Sequence, residues 1–264
     1  MSDDDSTEDW AVGSDDDDMG TWSDMYISTK ESEGPFLSHT RPDPELIETY
    51  YTVYKGLSNS SSSHRALPPE LVLYICRLAE FVCWHNKEAP VGRRRVHASS
   101  QDVQSLVWFQ TEPFTKKMLH HVKSIQLVTM SRHQGWVGDR DAGSWSWFEF
   151  QVARPTDQGT VPATAKHRSN GDEMSWCCLA HPVDHETAEI QGDFAKHEGS
   201  IFDLDHELWT QIEEGDVLQV VMKARFGGWL NTASDGIVRF STWWEPSVEM
   251  LSLMDQNKNN TQSK

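Results

Sequence analysis

From about residue 102 to residue 244 the apolar side chains of this chain recur at every second position, and that period constrains the fold more than any other feature. Successive strand residues point to opposite faces, so alternation of this kind buries one side of a β-sheet. The pattern is clearest in 216–226, where Leu218, Val220, Met222, Ala224 and Phe226 share a face opposite Gln219, Lys223 and Arg225. In 144–154, Ser146, Phe148, Phe150 and Val152 share one face, and Trp145, Trp147, Glu149 and Gln151 share the other. One face enters a core and the other meets solvent or a ligand. Further strands are expected after about residue 102, where Leu106 and Trp108 alternate with Val107 and Phe109, and at 124–130, 173–181, 200–204 and 236–244, the 200–204 pattern being the weakest. Short helical turns are expected at 113–121 and 206–215. Gly, Asp, Asn and Pro clusters separate these segments, in loops of uneven length. The expected fold class is therefore mainly β: an antiparallel, jelly-roll-like β-sandwich over 102–247, with one or two N-terminal α-helices and disordered termini.

The N-terminal part follows different rules. Residues 1–42 read as a disordered acidic tail, because the first 40 residues hold twelve acids against Lys30 alone and too little apolar surface to offset ordering. The net charge of −18 is mostly carried there, leaving the remainder mildly acidic. Residues 43–57 read as a short amphipathic helix, with Asp43 as cap, Pro44 at the first position and Leu46, Ile47, Tyr50, Tyr51 and Tyr54 on one stripe. A Ser-rich linker at 58–66 follows, and 67–101 reads as a helix and a polar loop. Leu71, Ile75, Leu78, Ala79 and Val82 make the expected core-facing stripe of that helix. The segment 248–264 reads as a disordered polar tail.

Composition excludes several classes of function. Arg93, Arg94 and Arg95 form the only basic run, so nucleic acid is not an expected partner. Neither a secretory leader nor an apolar run of membrane-spanning length is present, so no membrane is expected either, and an intracellular protein, cytoplasmic or nuclear, is the reading. Four cysteines, two of them adjacent at Cys177 and Cys178, suggest reduced thiols rather than a disulfide framework. No nucleophile elbow, phosphate-binding loop or dinucleotide fingerprint occurs, and no catalytic residue, cofactor or metal is assigned. His181 and His185 lack the paired cysteine spacing of a strong zinc site and read as strand-end histidines. Asp139, Asp141, Asp203 and Asp205 read as turn carboxylates; a hydrolase built on them is the weakest functional reading.

Tryptophan is the remaining excess. Trp136 and Trp229 each lie in a Gly-rich loop beside polar groups: His133, Asp139 and Arg140 in one, Arg225 and Asn231 in the other. Should the two loops meet at one end of the sandwich, these seven residues would form an aromatic floor with hydrogen-bonding walls, suited to a small polar ligand, a glycan or a peptide. The leading functional reading is a non-enzymatic recognition module of that kind.

Two resemblances add to it. The span from Gly215 to Phe240, with its long apolar strand, Arg-Phe-Gly-Gly-Trp turn, Asn231 and closing strand, resembles the last hairpin of the galactose-binding-like jelly-roll superfamily. That likeness is one of strand pattern over residues 100–247 and implies a fold and a binding role, with no ligand residue carried over. Leu67, Pro68, Glu70, Leu71, Ile75 and Leu78 resemble the opening of an F-box. This resemblance implies docking on a Skp-type adaptor of a cullin ubiquitin ligase, with the sandwich selecting the substrate. An F-box has further helices, whereas this chain turns to a polar loop and a β pattern.

Overall fold

Ten strands arranged in two five-stranded sheets form the body of the molecule, in a computed structural model that describes residues 44–63, 65–134, 143–156, 163–183 and 193–252. The first sheet runs β1 (Val82–Glu88), β10 (Leu230–Trp243), β4 (Val122–Arg132), β8 (Ala195–Asp203), with β2 (Arg94–His97) also pairing β10. The second runs β3 (Gln104–Gln110), β9 (Val217–Ala224), β5 (Ser146–Arg154), β6 (Thr164–Ala165), with β7 (Ser175–Ala180) also pairing β5. Every ladder between these strands is antiparallel. The connections β3 to β4, β4 to β5, β7 to β8, β8 to β9 and β9 to β10 each cross from one sheet to the other. The fold is the expected mainly β, jelly-roll-like sandwich.

Alternation explains the core. Phe148, Phe150 and Val152 of β5 face inward with Leu218, Val220, Met222 and Ala224 of β9, and Ile125 and Leu127 of β4 meet them from the opposite sheet. Phe150 and Phe202 pack edge to face at 5.3 Å, as do Phe114 and Phe240 at 6.1 Å. Trp108 lies over Gly236, where a Cβ would overlap its ring, so the glycine is what lets β3 close on β10. The short helices α3 (Lys116–His121) and α4 (Leu208–Gln211) lie in the crossings, inside the segments expected to be helical turns. Beside α4, the buried Asp216 carboxylate holds Arg154 Nε at 2.6 Å and Lys166 Nζ at 2.9 Å and accepts the Glu213 amide at 2.8 Å.

The helical part differs from expectation in three places. Helix α1 (Pro44–Ser58) forms where expected and buries Tyr50 and Tyr51 against Trp244, whose ring also meets Tyr54 and Phe81, at centroid distances of 5.1 to 6.1 Å. Helix α2 (Pro69–Leu78) ends earlier than the sequence suggested, and the polar loop expected up to residue 101 contains β1 and β2. Glu80, at φ 58°, turns the chain out of the helix, and β1 then finds hydrogen bonds along β10 that no local pattern announces. Residues 248–252, expected as disordered tail, form a helical turn in which Met250 and Leu251 pack on the Trp244 cluster and the Leu251 carbonyl accepts from Lys55 Nζ at 3.4 Å. Residues 1–42 and 253–264, expected to be disordered, and Asp43, the expected helix cap, lie outside the described residues.

Candidate functional site

The two loops singled out by their tryptophans leave the sandwich at the same end. Arg132 at the end of β4 pairs Thr232 at the start of β10, and Ser146 at the start of β5 pairs Ala224 at the end of β9. The end of β4, the start of β5, the end of β9 and the start of β10 therefore all lie at one end of the sandwich. Gln134 Oε1 accepts the Leu230 amide at 3.2 Å, and the Trp145 carbonyl accepts the Arg225 amide at 2.9 Å. Arg225 caps the Phe226 ring at 4.8 Å and the Trp145 ring at 5.8 Å, while its Nε donates to the Gln101 carbonyl at 3.1 Å. Phe226 holds a left-handed φ of 66°, the position at which the chain begins its reversal through Gly227 and Gly228.

Burial reassigns several of the expected ligand residues. Trp229 is 7% exposed and belongs to the main core, so its ring is not the rim platform that its Gly-rich setting suggested. Asn231 is fully buried and its amide donates to the carbonyls of Trp147 at 2.7 Å and Lys223 at 3.3 Å, tying β10 of one sheet to β5 and β9 of the other. His133 is buried as well, its ring 6.1 Å from that of Trp229. A turn that carries the chain between sheets places the residues just beyond it in the interlayer, which is why polar loop residues end up inside. Of the seven, Arg225 keeps a partly exposed side chain. Trp136, Asp139 and Arg140 lie outside the described residues.

Around His133 the structure assembles a cluster that sequence reasoning missed. The inward face of β4 changes from Ile125 and Leu127 to Thr129, Ser131 and His133, all buried. His181, just beyond β7, places Nδ1 2.8 Å from Ser146 Oγ and 3.2 Å from the Ser146 carbonyl. Its Nε2 lies 3.0 Å from Ser131 Oγ, which in turn meets Thr129 Oγ1 at 2.7 Å. One imidazole thus bridges the two sheets. The ring of His197 on β8 lies 5.4 Å from it and that of His133 6.1 Å. Burial, reinforced by His197 and then His133, pushes the His181 pKa well below the ordinary histidine value. Burial and His197 lower that of His133. The alternation of β4 carried through to His133 was the signal that could have located this cluster.

Ser146 and Ser131 both contact His181, and among the described residues no carboxylate orients the ring as a catalytic triad would require. Among the described residues no group of His, Cys, Asp or Glu is arranged to hold a metal ion. Asp203 accepts the Asp205 amide at 3.1 Å, a turn-forming contact. On the outer face of β5, Glu149 meets Lys223 at 2.8 Å, Trp147 Nε1 at 2.6 Å and the Ser175 hydroxyl. Burial alone would raise its pKa, but these three partners outweigh it and hold the carboxyl below the usual range.

A second surface lies at the far end of β10. Helix α2 buries Val72 and Cys76, four residues apart, against α1 and the Trp244 cluster. Leu71, Tyr74, Ile75 and Leu78 face outward, 51%, 60%, 36% and 68% exposed, respectively. This inverts the expected core-facing stripe: both faces are apolar, and the smaller Val72 and Cys76 fit the gap beneath the helix. Pro68 and Glu70 are exposed beside the stripe and Leu67 is half-buried.

No protein-family model matches the chain, and no curated protein matches it. Among solved structures, a chain of the infectious bursal disease virus Gx strain is similar at 11% identity, over 65% of this chain and 43% of that one, with a TM-score of 0.16. The chain thus spans less than half the length of that viral chain, and a likeness of this size carries no argument. No helix among the described residues is long and apolar enough to cross a membrane.

Proposed function

We propose that this protein is a non-enzymatic, intracellular adaptor: α2 docks on a Skp-type adaptor of a cullin ubiquitin ligase, and the sandwich carries the recognition end. The observation that carries the reading is the outward stripe of Leu71, Tyr74, Ile75 and Leu78. Four large apolar side chains exposed on a ten-residue helix are costly in water, and such patches mark protein contacts. A proline-started helix presenting apolar anchors at i, i+3, i+4 and i+7 is suited to a hydrophobic groove. The contact is smaller than a complete F-box, because β1 begins at Val82, shortly after α2 ends at Leu78. A pull-down and titration calorimetry with the purified Skp-type adaptor test this. Binding that is lost in Leu71→Asp and Leu78→Asp, with the circular dichroism unchanged, is the expected result. No binding, or binding indifferent to both substitutions, removes the reading.

A second reading is favoured by the meeting of the two loops: recognition of a small polar ligand, a glycan or a peptide at the end bearing Arg225, Phe226 and Trp145. Glycan and peptide arrays should give hits that weaken at least tenfold in Arg225→Ala or Trp136→Ala. Hits that ignore both substitutions would place recognition elsewhere.

A further inference from the structure

We infer that the His181 cluster is a proton-sensitive lock on one end of the sandwich: taking up a proton there loosens the end of β4, the residues just beyond β7 and the start of β8, while the helical end stays closed. The observation behind it is a single buried imidazole bridging Ser131 of one sheet and Ser146 of the other, with the rings of His133 and His197 at 6.1 and 5.4 Å.

The hydrogen bonds set the neutral state. With Nδ1–H donating to the Ser146 carbonyl, Nε2 accepts from the Ser131 hydroxyl, which accepts in turn from Thr129. A proton added at Nε2 turns that nitrogen from acceptor to donor, so the Ser131 hydroxyl loses its acceptor and must turn its own proton away from the ring. It also creates a charge in an interior that offers no counter-ion among the described residues. From β4 and its extension the groups facing His181 are Thr129, Ser131 and His133; from β5, Ser146 and Phe148; from β8, His197. Cys178, on the same strand as the approach to His181, is a buried thiol whose pKa is itself raised by burial. Of the charges on β8, Lys196 and Glu198 pair with each other at 2.7 Å and Arg239 joins Glu198 at 3.7 Å. The groups whose charge reaches His181 are thus His197 and His133, both of which oppose its protonation.

Opening is the cheapest relief, because the cluster lies at the rim rather than mid-core. The sign is fixed: a histidine held below its ordinary pKa in the closed state favours closure above about pH 6.5, and that contribution is lost as the pH falls below this value. Each proton taken up on opening multiplies the opening constant about tenfold per pH unit in that window. The lock concerns the end at which the second functional reading places a ligand, but it is a property of the free protein and does not depend on that reading.

Hydrogen exchange of the full chain, resolved by segment and corrected for intrinsic rates between pH 7.5 and 5.5, tests it. Carboxylates of ordinary pKa stay ionised over this range. Segments 129–134, 179–183 and 195–198 should keep their protection down to about pH 6.5 and lose about tenfold per pH unit or more below it, while 50–54, 82–86 and 237–243 hold theirs throughout. In His181→Gln, which keeps an amide donor and acceptor but does not titrate, the slope should fall by one proton's worth. A flat profile in the wild type, an equal loss in all six segments, or an unchanged slope in His181→Gln would overturn the lock. Should the variant fail to fold, the location and slope in the wild type decide alone.

Discussion

The inward face of β4 holds two regions of opposite character. Ile125 and Leu127 enter an interlayer of Phe148, Phe150, Leu218 and Val220, whereas Thr129, Ser131 and His133, on the same face of the same strand, enter one of histidines, serines and Asn231. The apolar region gains its stability from area and shape and is indifferent to pH. The polar region is equally buried but depends on donors finding acceptors, so it contributes direction and responsiveness rather than bulk stability. Burial alone, the contrast teaches, does not identify where a sandwich is strong.

Substitutions can break that contrast. Phe150→Ala should cost about 3–5 kcal/mol in urea unfolding, because a fully buried ring leaves a cavity that two sheets cannot close. Asp216→Ala should cost roughly 2 kcal/mol, since it frees Lys166 and Arg154, both partly solvated, and the Glu213 amide. Ser131→Ala should cost about 1–2 kcal/mol at pH 7.5 by stranding His181 Nε2, and less at pH 5.5, where the closed state is already disfavoured. A loss as large as that of Phe150→Ala would mean that the polar region is a pillar of the fold and not a responsive rim. Leu78→Ala, on the exposed stripe, should stay within about 0.5 kcal/mol of wild type while weakening any partner bound to α2.

How much of this was legible depended on whether the information was local. Phe148, Phe150, Leu218 and Val220 announced their burial because alternation in one strand is enough to show a face. The Val82–Glu88 strand gave no such signal, since its half-buried, polar edge sequence is made a strand by pairing Ile237 to Trp243. The first half of β8, Ala195 to Gly199, carries no such signal for the same reason. On α2 the period was right and the face was wrong, because Leu71, Ile75 and Leu78 are as apolar as Val72 and Cys76, and periodicity cannot say which stripe turns inward. Trp229, His133 and Asn231 read as surface residues of a loop, since a Gly-rich turn reads as exposed unless one knows that it crosses between layers. The convergence of the two loops followed from strand order, and the histidine cluster only from carrying the β4 alternation past its last apolar residue.

One feature of the topology bears on how the molecule comes into being. Strand β10 pairs β1, β2 and β4, and it is the last of the described strands. On the ribosome β1 must wait until β2 to β9 have been made before β10, its ladder partner among the described residues, emerges, so this edge of the first sheet cannot form early. Nascent chains halted before Leu230 would leave β4 without its β10 neighbour, which makes the interval before β10 emerges the one in which a chaperone has most to protect.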